Sequence, residues 1–126
     1  MRIHGAATLL GMAVLGSLRG RHVVRAWKDG RHLASGCGLL GLWMGLAVSG
    51  YALYYVADEE VRNGFSALHV AAGMALPVAL AIHIAALLFD DYVTTTIGNV
   101  LVPFTGDYHP TAVAWGVISM YLLLAV

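Results

Sequence analysis

"SALHVAAGMALPVALAIHIAALL", residues 66 to 88, decides how this chain is read. It holds no Asp, Glu, Lys or Arg and is long enough to cross a bilayer, which takes about 20 mostly apolar residues. Yet it carries His69 and His83. An ionisable side chain inside an apolar span is costly, so by default it marks a functional position. The neighbouring runs must supply its partner.

Those runs are also apolar. Of the 126 residues 60% are hydrophobic and 11% charged, with a mean hydropathy of +0.77, far from an ordinary soluble domain. Apolar runs at about residues 3–22, 34–57, 65–89 and 110–126 predict an all-α fold, an integral membrane four-helix bundle forming one domain over 1–126. Helices are required because an open sheet cannot satisfy its backbone in lipid and four segments are too few for a barrel. Between the runs lie a basic loop "RGRHVVRAWKDGRH", an acidic turn "ADEEVRNG" and the longer "DDYVTTTIGNVLVPFTGDYHP", within which "VTTTIGNVLVPF" reads as a re-entrant or interfacial segment.

Net charge is zero, but Arg19, Arg21, Arg25, Lys28 and Arg31 place five of the seven basic residues in one loop. The positive-inside rule puts that loop in the cytoplasm, the N-terminus and the acidic turn outside, and the third helix running inward. Arg2 ahead of an apolar stretch resembles a secretory signal. With no A-x-A-like cleavage site and a basic loop directly after it, the stretch is read as a retained helix. The sequence closes on "SMYLLLAV" inside an apolar run, which predicts either a short fourth helix or a longer protein of which this is part. Cys37 is the only cysteine, so there is no internal disulfide, and without C-x-x-C-H covalent c-type haem is excluded.

The fourteen-residue step from His69 to His83 places them roughly 40° apart around a helix and roughly 21 Å apart along it. His4 and His22, eighteen residues apart, likewise share a face, about 27 Å apart. Both helices run inward, so His4 and His69 fall at the outer level and His22 and His83 at the inner one. A macrocycle held by one histidine from each helix suits this geometry, and two of them make a relay across the bilayer. Zinc suits it less well, because a structural site wants four ligands at one level. The plain alternative is hydrogen bonding between helices.

Gly73, one turn after His69, together with Gly5, Gly11 and Gly16, either leaves room for a ring or simply allows close packing. Gly38, Gly41, Gly45 and Ser49 line one face of the second helix, read as a packing helix, and Pro77 should kink the third. His32 reads as a loop residue with the inner-ligand role of His22 as its alternative. His109, before Pro110, reads as an interfacial turn or a quinone or proton site. Arg21, Arg25, Arg31 and Arg62 either meet haem propionates or only set topology. Trp27, Trp43, Tyr51, Tyr54 and Tyr55 fit an interfacial aromatic belt.

Residues 4 to 84 resemble small bacterial membrane cytochromes of the b561-like, DUF4405-like kind. The resemblance is carried by His4 with Gly5, His22 ahead of Trp27 and Arg31, "SGYALYY" at 49–55, and "ALHVAAG" at 67–73 with His83 after it. It implies two bis-histidine haem b groups with iron ligands His4, His22, His69 and His83, in a bacterial plasma membrane. The stretch from "ALHVAAGMALPVALAIHIAALLFDDY" to "VLVPFTGDYHPTAVAWGVISMYLLLAV" is also similar to ferric-reductase-like transmembrane domains, whose second histidine pair lies on a later helix. Both resemblances imply haem on His69 and His83 and differ in the other two ligands.

The sequence-based expectation is an electron-transfer subunit of a quinol- or ferric-reductase-type oxidoreductase, in contact with membrane lipid, a redox partner protein and a quinone, and with no nucleic acid. Nothing like G-x-G-x-x-G sits between a strand and a helix, so no flavin or nicotinamide domain is expected within the chain. The competing expectation is a haem-free membrane subunit whose histidines bind a metal, relay protons or brace a partner.

Overall fold

The computed structural model describes the backbone of residues 2–92 and 94–124 and, among these, the side chains of all but 2–7, 15, 18, 21, 123 and 124. Among the described residues all regular structure is helical, with no strand. The first helix, α1, spans Arg2–Leu18 and continues through a π-helical turn, Arg19–Val23, into α2, Val24–Asp29. Residues 19–29 of the basic segment are therefore helical, where the sequence predicted a loop. Arg, Ala and Lys favour helix, and the stop comes only at Gly30, which takes the left-handed conformation (φ +67°) that a terminal glycine reaches without steric cost.

Two long helices follow, α3 (Leu33–Tyr55) and α4 (Glu59–Leu88). The latter starts about six residues before its apolar run because Asp58 caps it. Asp58 Oδ1 accepts the Val61 N–H at 2.9 Å, its carbonyl accepts the Arg62 N–H at 3.0 Å, and Glu59 and Glu60 face the positive end of the helix dipole. Most of the acidic turn is thus helix. Pro77 lies inside α4, where its missing N–H removes the usual donor to the Gly73 carbonyl.

Within the stretch predicted as re-entrant or interfacial is a single short helix, α5 (Ile97–Leu101), opened by a reciprocal Thr96–Asn99 capping box. The last helix, α6 (Pro110–Leu124), begins on a proline whose fixed φ suits the first turn, and the His109 carbonyl accepts from Ala112 and Val113.

The chain divides into two compact units, Met1–Leu33 with Ile84–Val126, and Ala34–His83. In the first, α1 packs on α6, which buries Ala112, Ala114, Val117 and Met120, and Tyr121 Oη donates to the Leu101 carbonyl to tie α5 to α6. In the second, α3 and α4 form an antiparallel hairpin turned at residues 56–58. Its neighbours Ser35–His83, Leu46–Gly73 and Ser49–His69 step along the two helices in opposite directions. Ser49, Ala72 and Leu76 are its buried residues among those described.

Both α3 and α4 are long and apolar enough to cross a membrane, and α6 contains a shorter apolar helix. Only 6% and 11% of the apolar windows of α3 and α4 are buried within the chain, the reverse of a soluble core helix. Tyr51 and Tyr55 pair at 4.4 Å between ring centroids near the end of α3, exposed as a belt position would be.

Candidate functional site

His69 and His83 each meet a serine of α3. Ser49 Oγ lies 2.9 Å from His69 Nδ1, and Ser35 Oγ lies 3.2 Å from His83 Nδ1. The serines are fourteen residues apart, as the histidines are, so the antiparallel pairing repeats with the same step on both arms of the hairpin. Each serine is followed by a glycine beside the same ring. A Cβ on Gly50 would stand 3.3 Å from His69 Cε1, and one on Gly36 3.8 Å from His83 Cε1.

Ser49 is wholly buried, and its hydroxyl donates to the Gly45 carbonyl at 2.7 Å, with the Leu46 carbonyl at 3.2 Å. A histidine whose second ring nitrogen is held this way matches the pattern around metal-bound imidazoles. It also matches an inter-helix brace. Sequence reading places Ser49 on a packing face and passes over Ser35, although "SG" occurs at 35–36 and again at 49–50, the histidine step.

The other predicted ligands lie in the first unit. His4 belongs to α1, but its side chain, like that of Gly5, lies outside the described residues, as does the side chain of Arg21. His22 sits half-buried in the π-helical turn. Gly73 and Arg62 are exposed on α4, with Leu46 the near neighbour of Gly73.

Arg25 of α2 donates from Nη1 to His109 Nδ1 at 3.2 Å, so His109 is a turn residue joined to the basic helix. Around this pair Lys28, Asp29 and Thr111 line an open cavity of about 660 Å³.

His32 precedes α3 at φ +52° and places Nε2 against Asp90. Asp90 also accepts the Tyr92 N–H at 2.8 Å and Arg31 Nη1 at 2.9 and 3.1 Å, while the Arg31 guanidinium lies 4.1 Å over the Tyr92 ring. The Tyr92 N–H, then His32, then Arg31 stabilise the ionised carboxyl and hold it at about 2. Nothing in the sequence marks Asp90 as this anchor beyond its place directly after an apolar run.

Among the described residues no three His, Cys, Asp or Glu side chains converge on a bare metal ion. Haem asks less of the protein, one or two axial imidazoles, and the Nδ1-held histidines of the hairpin have the donor chemistry for it. Compared with family models, curated proteins and solved structures, the chain shows no match.

Proposed function

We propose that the chain is a membrane b-type cytochrome passing electrons across the bilayer through two bis-histidine haems. His69 and His83 supply one ligand to each, with His4 and His22, read from the sequence, as the second. The observation that carries this is the doubled Ser–Gly contact. Two intramembrane histidines at a fourteen-residue step each have Nδ1 held by a serine at the same step, as ligand histidines are held through the ring nitrogen that does not meet the metal.

Haem, when bound, supplies the one-electron chemistry. The chain's own residues fix ring orientation and provide a low-dielectric surround, Gly73 leaves room beside the outer site, and Arg25 and Arg62 supply positive charge toward the propionates. The exposed apolar surfaces of α3 and α4 support lipid as their solvent and a four-helix membrane bundle as the full architecture. The N-terminus lies outside and the basic helix in the cytoplasm of a bacterial plasma membrane, with a quinone or a reductase protein as redox partner.

A haem-free subunit is the second reading, favoured by the same Ser–His contacts taken as braces between helices. A dithionite-reduced minus oxidised visible spectrum, with haem quantified per chain, separates the two. The expected result is two b-type haems per chain, with His69→Ala and His83→Ala each removing one. An empty visible region in wild type and variants alike leaves the brace.

A further inference from the structure

We infer that Ser49 and Gly50 form a positioning seat on α3 that fixes both the tautomer and the ring plane of His69, with the proton on Nδ1 and the lone pair on Nε2. A serine hydroxyl has one hydrogen to donate. Ser49 directs it at the Gly45 carbonyl four residues back, 2.7 Å away. Toward His69 Nδ1, at 2.9 Å, the same oxygen can then only accept, so the ring nitrogen donates.

Ser49 is wholly buried, so water is not at hand to mediate another arrangement. The opposite tautomer would set two lone pairs face to face, or make the serine abandon its carbonyl. Facing lone pairs in a buried site are disfavoured, and turning the hydroxyl to the ring gives up the 2.7 Å bond to the carbonyl.

Gly50 completes the seat from the backbone. A Cβ there would lie 3.3 Å from Cε1, close enough that the ring must give by a few tenths of an ångström, and in ordinary contact with Nδ1 at 3.7 Å. The copy at His83 is looser, since Ser35 Oγ stands at 3.2 Å and a Cβ on Gly36 would stand in ordinary contact at 3.8 Å. The two seats therefore predict different responses to the same change. Gly50→Ala displaces its histidine, whereas Gly36→Ala leaves its own in place.

One step of this inference rests on the haem reading, namely that the nitrogen kept unprotonated is the one offered to iron. Accepting the Nδ1–H makes imidazole a stronger donor, so losing that acceptor should raise the potential of the haem it serves.

The test is nitrogen NMR of the chain of 126 residues labelled with ¹⁵N-histidine, in detergent without haem, with His69 assigned through His69→Gln. The expected result is a protonated Nδ1 and an unprotonated Nε2 in wild type, a mixture of tautomers in Ser49→Ala, and the single form restored in Ser49→Thr. A protonated Nε2 in wild type, or a single Nδ1–H form surviving in Ser49→Ala, overturns the seat.

A redox titration of the haem-loaded protein is the second readout. An upward shift of one midpoint potential in Ser49→Ala, with neither moved in Gly36→Ala, supports the step to iron, and no shift removes that step. If wild type binds no haem, the cytochrome reading fails while the nitrogen spectrum still decides the tautomer.

Discussion

Asp90 ties Arg31 and His32 to the chain just beyond α4, and only 8% of its side-chain surface is exposed. Its carboxyl is held at about 2 against an ordinary 3.8, chiefly by the Tyr92 N–H and then by His32 and Arg31. Because the folded value lies below the unfolded one, its contribution to stability is complete above 3.8 and disappears as pH falls through about 2. Thermal melts of the solubilised protein between pH 5 and 2 should show a loss across this window that Asp90→Asn flattens; parallel curves for the two proteins would contradict it. Gly30 gives a second residue-level prediction. Its φ is +67° and the space where a Cβ would stand is open, so Gly30→Ala carries a purely conformational cost of about 1 kcal/mol, readable by denaturant titration. His69 and His83 stand out in the sequence because an ionisable group in an apolar run is conspicuous. Ser49 does not, because a serine among glycines reads the same whether it lines a packing face or holds a ring.

The ends of the helices follow rules that hydropathy does not register. Apolar runs locate the middles of α3 and α4 well, but α4 starts where Asp58 can accept the Val61 N–H, six residues outside the run predicted at 65. Asp58→Ala should cost about 1 kcal/mol and speed amide exchange over residues 59–62 while leaving the centre of α4 protected. Uniform exchange along α4 in both proteins would show that the cap is idle. The basic helix departs from the sequence expectation for a related reason, since charge density suggests a loop although the residue types favour helix until Gly30. In α5 the capping box supports only five residues, too few for a stable isolated helix. Thr96→Ala should therefore abolish amide protection across 97–101 and leave α6 unchanged.

Composition makes the all-helical class legible, and the long second and third runs make two of its helices legible as candidate spans. Their apolar windows are 6% and 11% buried within the chain, so their outward faces need an apolar solvent or a covering protein. Alkaline carbonate washing of membranes from cells expressing the chain should leave it in the pellet; release into the supernatant would contradict a spanning role. The division into two units has no sequence signature, because no linker composition separates them. Lipid tails are as apolar as leucine and give such helices no reason to prefer one sliding position over another. The doubled Ser–Gly contact supplies that preference, acting as a two-pin gauge between α3 and α4. A slip of one turn disengages both pins together, so misalignment meets an all-or-none penalty. Deleting one residue between 36 and 49 turns one pin about 100° away from its histidine while the other stays engaged. Hairpin alignment and the presentation of both imidazoles are thus set by the same four side-chain positions.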